Sequence, residues 1–572
     1  MPFMRHIGAI CTLGSILAGA ILASTGCKYT ENAAFIKDPV DVGPQGHSST
    51  ERGPAYGTAL PTPIDSAGDW SMYNRSFTGT RFSPLAQITT ANAASLRPAC
   101  TFNLGTKAAM ESSPVVIRGV MYVTTALSTF AVDAGTCQLR WSHMYEYYPE
   151  PAWDLKVNRG VAYMDTPNGP RLFRGSNDGR VYALDARTGE EVWNVKEGDV
   201  SLGETFPAAP VAWHGLVFIG NAGGDNYAVT GRMIALDART GAQVWSFDLV
   251  PRSGPAAATW PAETDRVPRA GGTTWTSYAL DTLSGTIYLP TGNAAPDFLY
   301  DARAGSDMYA YSVVALDAGT GALRHVYQLL HKDFHDWDMA AAPMLLATGG
   351  GRSLVIQAGK DGYLYGVDRA SGQIAYKTQV TTRSNADVPL TKDGTHFCPG
   401  VQGGVEYNGP AYSPATNALY VGSVDWCTTA KVDPPASLKN KKGLPWTGAA
   451  GLMHPFGIMD PKTSWHGWLT AVDADNGTVK WRYVSATPMI SGVTTTAGGL
   501  VFAADLNGNI MAFDAGSGAI RYHYNTGQPV GGGIASYAVN GKQFIAVASG
   551  LDAPLTWQTK TSAAKVVVFA LP

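Results

Sequence analysis

Seven times along the chain an apolar alternating run passes through one short polar phrase into a second run, closed in most copies by Trp or Tyr. The copies are FAVDAGTCQLRW (130–141), VYALDARTGEEVW (181–193), MIALDARTGAQVW (233–245), VVALDAGTGALRH (313–325), LYGVDRASGQIAY (364–376), LTAVDADNGTVKW (469–481) and IMAFDAGSGAIRY (510–522). Alternation on both sides of Asp-Ala-x-Thr/Ser-Gly predicts strand, turn, strand. Gly takes the left-handed turn position, and Asp or Thr bonds the local backbone. The phrase aspartates at 133, 185, 237, 317, 368, 473 and 514 are 52, 52, 80, 51, 105 and 41 residues apart. Such self-similarity means stacked units, and a four-stranded sheet takes about 40–50 residues. Seven phrases plus the closing fragment VVVFALP predict an all-β, eight-bladed β-propeller of four-stranded antiparallel blades over residues 67–572. The last blade is expected to borrow a strand from the N-terminal region, which closes the ring and covers its edges. The intervals 238–312 and 369–468 must hold insertions, expected to form the functional face.

Composition sharpens this picture. At 572 residues the chain exceeds one ordinary core, which stops growing near roughly 250–300 residues. The 65 Gly and 35 Pro, with 26 Tyr and 15 Trp, favour a turn-rich β protein. A net charge of −3 gives no basic footprint for nucleic acid. Residues 1–27 read as an export signal, because Arg5 and His6 precede an apolar run over 7–23 and small residues then lead to Cys27. The ending STGC resembles a lipoprotein cleavage box, with Ser24 where Leu is usual. Lipidation at Cys27, giving a lipid anchor, and plain cleavage after a small residue are the two readings. Both place the mature protein in the periplasm or cell envelope, where disulfides are permitted. Residues 28–66 are polar and aperiodic, as expected of a flexible tether.

The repeated A-x-D-x-x-T-G-x-x-x-W phrase, with the opening stretch DWSMYNRSFTGTRFSPLAQITTANAASLRPAC (69–100), resembles the PQQ-dependent quinoprotein alcohol dehydrogenases, the group that includes the methanol dehydrogenase large subunit. The likeness runs from about residue 69 to the C-terminus. The repeat is weakly specific, because cofactor-free propellers of outer-membrane assembly share it. Motifs outside the repeat carry more weight. GGTTWTSYALD (271–281) followed by PTGNAAP (290–296) implies that Trp275 stacks on the quinone, Thr273 hydrogen-bonds it and Asn293 binds a metal. A flat quinone needs an aromatic floor, and a hard cation needs oxygen donors.

The loop HKDFHDWDMA (331–340) crowds three aspartates with His331, His335 and Trp337. It matches the family's H-D-x-W-D loop, whose final Asp is the catalytic base, here Asp338. It is one residue short, so the roles of His335 and Asp336 stay open. Ala340 stands where members that prefer lanthanides have a second Asp, which points to Ca²⁺. The strand end LVFIGNAGGD puts Asp225 where the family has a metal-binding Glu, with Gly223 and Gly224 letting the backbone approach the cofactor. Glu111 and Arg159 match positions that contact cofactor carboxylates, a guanidinium suiting a polycarboxylate by bidentate bonding. Lys360 matches a cation that reaches the quinone oxygens. The implied reaction oxidises an alcohol to an aldehyde or ketone by hydride transfer to PQQ, with Asp338 as base and the metal as Lewis acid.

Departures bear on the substrate. PEPAWDLKVNRG lacks the family's adjacent cysteine pair, so the cofactor ceiling differs, with Trp153 a candidate. Glu406 stands near a usual Asn or Asp, and MISGVTTTAGG (489–499) lacks a pocket Trp. Methanol is therefore not the expected substrate. Two alternatives stay open: a non-enzymatic envelope scaffold, and a dehydrogenase of polymeric or sugar alcohols. The resemblance implies a Cys398–Cys427 disulfide, leaving Cys100 and Cys137 to pair within the first blade or remain as thiols. No C-x-x-C-H is present, so electrons are expected to pass to a c-type cytochrome or another separate acceptor.

Overall fold

The structure, a computed structural model, describes residues 68–147, 156–264, 267–303, 305–450 and 454–572, all within the compact unit Val42–Pro572. The expected signal, Cys27 and tether lie outside the described residues. Eight antiparallel four-stranded blades follow one another, over 115–144, 162–196, 211–248, 279–328, 344–379, 411–485, 494–525 and 534–570. The eighth has three strands of its own, Ile534–Val539, Lys542–Ser549 and Lys565–Ala570. Its outer strand is Arg97–Asn103, paired to Lys565–Ala570. The borrowed strand thus comes from the N-terminal region, as the edge argument requires.

The repeated phrase explains how blades adhere. Its first run is the third strand of a blade and its last run the outer fourth. A bulge in this pairing turns the closing aromatic toward the next blade. There its N–H bonds a carbonyl of the next phrase: Trp141 to Ala186, Trp193 to Ala238, Trp245 to Ala318 and Trp481 to Ala515, at 3.0–3.2 Å. The ring covers the turn glycine of that phrase. A Cβ on Gly518, at φ +73°, would lie 2.7 Å from Trp481. The phrase therefore uses Gly for two reasons at once: a left-handed backbone, and the absence of a side chain under the incoming indole.

The ring closure lacks this contact. Cys100 pairs with Val568 on the borrowed strand, the register position of the closing aromatic. Cys137, at φ 60°, fills the turn-glycine position of the first phrase. These two are joined as a disulfide, between the last blade and the first rather than within the first, with Cα atoms 5.8 Å apart. A covalent bond thus replaces the aromatic-on-glycine contact at the seam. Tyr537 adds a 2.7 Å bond to the Ala134 carbonyl across it. The second bridge, Cys398–Cys427, also forms.

The opening stretch 69–83 stitches the blades from inside. Its backbone bonds Val116, Leu280, Leu345, Tyr412 and Thr495 in five different blades, and Phe82–Ser83 runs parallel to Thr494–Thr496. Up-and-down blades also fix where function can sit. Loops entering a first strand and loops leaving a second strand lie at the same end of a blade. The phrase turns lie at the opposite end. The inserted segments before residue 279, after 290, before 411 and after 425 all belong to the first end.

Gly518→Ala is predicted to cost roughly 2–5 kcal/mol, from left-handed strain plus collision with Trp481. Gly527 has φ +74° with nothing within 4 Å of a Cβ, so Gly527→Ala should cost about 1–2 kcal/mol. Denaturant midpoints compare the two. Equal losses would refute the docking account of the turn glycine.

Candidate active site

The loops of this end surround one cavity of ≈ 300 Å³. Glu111, Arg159, Gly223, Gly224, Asp225, Thr273, Trp275, Asn293, Asp338 and Lys360 all line it. They come from blades 1 to 5, each from a loop entering a first strand or leaving a second. Asp336, Gln402, Glu406, Tyr407, Phe456 and residues 552–557 complete the wall.

Loop 331–340 has a division of labour. Asp333 organises it: its buried carboxylate accepts the backbone N–H groups of His335 and Trp337 and bonds His335 Nδ1 at 3.1 Å. His335 is stacked on Trp337 with ring centroids 3.9 Å apart, and Trp337 donates its indole N–H to Pro399 at 3.1 Å. The rings are thus packing. Asp336, at φ 66°, and Asp338 face the cavity. That settles the register left open by the shortened loop: His335 turns away and Asp336 turns in.

Asp338 is held on both oxygens. Oδ1 accepts the Asn293 N–H at 2.8 Å, and Oδ2 lies 3.4 Å from Lys360 Nζ. Gly292 permits this approach, because a Cβ there would lie 2.6 Å from Asp338 Oδ1. Lys360 also pairs with Asp336 at 2.9 Å. Burial alone would lower the Lys360 pKa, but Asp336 and Asp338 outweigh it and hold the ammonium well above its usual range. Beside this pair, one oxygen each from Asp225, Asp297 and Asp336 lie within 4.8 Å of one another. Burial and Asp338 raise Asp225 to about 6. Burial raises Asp297 and Asp336 well above the usual carboxylate range, and Asp225 adds to both.

The cavity wall also carries a buried Arg–Glu pair. Arg159 pairs with Glu111 at 2.7 Å and donates to the Trp275 carbonyl at 3.1 Å. Its guanidinium lies 4.6 Å from the centroid of the Trp275 ring and 5.0 Å from that of Tyr407. Gly223 and Gly224 are required by close backbone packing: a Cβ on Gly223, at φ +94°, would strike the Gly203 carbonyl, and one on Gly224 would lie 2.8 Å from Thr273 Oγ1. Trp153, expected near the ceiling, lies outside the described residues.

Comparison with known proteins gives this arrangement a family. The profile described as "Glucose/ethanol/alcohol dehydrogenase, beta-propeller domain" (PQQ) matches residues 70–389 and 378–545. The chain belongs to the PQQ-dependent quinoprotein alcohol dehydrogenases. It is 32% identical to the dehydrogenase subunit of the alcohol dehydrogenase (quinone) of Gluconacetobacter polyoxogenes, over 87% of this chain and 73% of that protein. It is 29% identical to the lanthanide-dependent methanol dehydrogenase of Methylacidiphilum fumariolicum, over 77% and 78%. The quinohemoprotein alcohol dehydrogenase ADHIIG of Pseudomonas putida superposes with a TM-score of 0.79 at 26% identity, over 88% of this chain and 80% of that one. The scaffold alternative yields to these relatives, which are named dehydrogenases.

Within this quinoprotein fold, two acidic residues escaped the sequence reading. Asp336 was left unassigned by the shortened loop. Asp297 was not singled out at all. Its signal was an aspartate four residues beyond Asn293 in the otherwise uncharged run LPTGNAAPDF, an odd residue for a stretch fully buried in the fold. Tyr407 and the 552–557 loop carry no motif and were found only by their position.

Glu406 gives a pH prediction. Burial raises it to about 7. A carboxyl raised above its unfolded value gives stability that is complete below about pH 4.3 and is lost as pH climbs through the folded value. The metal-free protein should therefore lose stability between about pH 4.3 and 7, with Glu406 contributing on the order of 3 kcal/mol. Thermal unfolding across this range should show the fall in Tm, and Glu406→Gln should flatten part of it. Identical profiles for wild type and variant would contradict this.

Proposed function

We propose that the protein binds PQQ against Trp275 with a hard cation beside it, and oxidises an alcohol to an aldehyde or ketone in the cell envelope. The observation that carries the reading is that one cavity brings together Arg159 against the Trp275 ring and a carboxylate cluster beside Lys360. The residues fit the group. Arg159 Nε and Glu406 Oε1 are buried without hydrogen-bond partners, and a polycarboxylate bearing ring carbonyls and a pyrrole N–H suits both. Trp275 offers the aromatic floor. Asp225, Asn293 and Asp338 supply oxygen donors for a hard cation, Ca²⁺ being the ion expected from Ala340 taken alone.

When bound, PQQ supplies the two-electron sink and the cation a Lewis acid. Arg159 and Lys360 orient the carboxylates and ring oxygens of the cofactor. Asp338 takes the alcohol hydroxyl proton on Oδ2. The Asn293 N–H on Oδ1 fixes the plane of that carboxylate, so the accepting oxygen is aimed before substrate arrives. Lys360 steadies the negative charge of Asp336 and Asp338. Phe456, Leu555 and Trp557 at the cavity wall favour an alcohol with more apolar surface than methanol. The acceptor of the electrons is read as a c-type cytochrome or another separate protein, and Cys27 as a lipid anchor at the membrane.

Purified apoprotein given PQQ and Ca²⁺ should reduce a dye when offered alcohols, with polyols and polymeric alcohols included in the panel. Asp338→Asn should lower turnover by about 10²–10⁴-fold while retaining quinone absorbance after desalting. Wild-type activity in that variant would remove Asp338 from the mechanism. No quinone retention by the wild type would remove the cofactor reading altogether.

A further inference from the structure

Asp297 is fully buried, and neither of its carboxylate oxygens has a hydrogen-bond partner. Its buried neighbours are provided for. Asp333 is bonded by the loop it organises, and Asp307 is paired with Arg303 at 2.9 Å. Arg303 does approach Asp297, but it bonds the backbone carbonyl at 3.0 Å and spends its other donors on Asp307, Pro296 and Asp333. Burial of a carboxylate without a donor is unfavourable unless a cation completes it.

The geometry supplies the place. One oxygen each of Asp225, Asp297 and Asp336 lie within 4.8 Å of one another. Oxygens bound to one Ca²⁺-sized ion at 2.3–2.6 Å can be no more than about 5 Å apart. Charge then bears on which ion. With a cation bound in place of their protons, Asp225, Asp297, Asp336 and Asp338 bring four negative charges and Lys360 one positive, since Arg303 is matched by Asp307. Three negative charges remain. Among these side chains a divalent ion leaves one charge unmatched and a trivalent ion leaves none, and Glu406 beside Lys360 and Asp338 adds acid to the same wall rather than base. Ala340 therefore does not decide the ion, because this fold brings carboxylates from elsewhere.

We propose that Asp297 and Asp336 are ligands of the cation beside Asp225 and Asn293, and that this three-carboxylate cage with Asp338 beside it favours a trivalent hard cation over Ca²⁺. The proposal rests on the quinoprotein reading of the cavity.

Two measurements on the purified full chain without PQQ test it: Tb³⁺ luminescence sensitised by nearby tryptophan, with Ca²⁺ as competitor, and the metal-induced rise in Tm. Wild type should bind one Tb³⁺ and release it only to a large excess of Ca²⁺. Asp297→Asn replaces a buried, raised carboxyl by an isosteric neutral amide and should leave the metal-free Tm close to that of wild type. It should weaken Tb³⁺ by about 10–100-fold, weaken Ca²⁺ less, and shrink the Tb³⁺-induced Tm rise. Circular dichroism of the variant, with Asp297→Ser as a second substitution, shows that the fold is kept. An unchanged Tb³⁺/Ca²⁺ ratio and unchanged Tm rise in both variants would overturn the ligand role of Asp297, even with PQQ binding intact. Wild type that prefers Ca²⁺ would overturn the charge argument. Loss of PQQ retention in the wild type is a different failure and strikes the cofactor reading instead.

Discussion

Like charges resist being buried together, and this fold buries several. Asp225, Asp297, Asp336 and Asp338 converge where Lys360 is the nearest ammonium. Only a rigid frame can bring such a cluster together. The frame here is a closed ring whose blades are locked to one another by repeated aromatic-on-glycine contacts. The inner stitch of residues 69–83 ties five blades together. The seam is covalent, Cys100 to Cys137. Packing at one end of the blades thus permits electrostatic strain at the other.

The division between the two ends follows from strand direction. Phrase turns carry the contacts between blades and repeat because every junction poses the same problem. Site residues lie on the opposite loops and do not repeat, because each contributes a different group. The cavity accordingly gathers two different groups. Arg159 and Glu111 meet Trp275, and the carboxylates cluster beside Lys360. A flat anionic cofactor and a hard cation complement these two groups, and family membership gives that complementarity its chemistry.

The repeat made the blade count and the borrowed strand legible in the sequence, since both follow from periodicity and edge satisfaction. The motif residues outside the repeat were legible through family spacing, and all of them line one cavity. What stayed hidden was whatever depends on approach between distant loops. Asp297 sits beside Asp225 although 72 residues separate them in the sequence. Asp336 was ambiguous until its left-handed backbone showed which side chain of the shortened loop turns inward. The glycines at 223 and 224 stand on the cavity wall as that spacing implies, and their closeness to Gly203 and Thr273 appears only in the fold. Cys137 is similar: its place in the phrase is visible, but its reason is the missing aromatic of Arg97–Asn103, the strand lent to the last blade.

The most direct test is an anomalous-difference map from crystals of the protein grown with PQQ and a lanthanide. The account predicts one strong peak between Asp225, Asp297 and Asp336, and planar density lying on Trp275. A peak elsewhere, or a site bare of both while Asp297 bonds only to water, would contradict it.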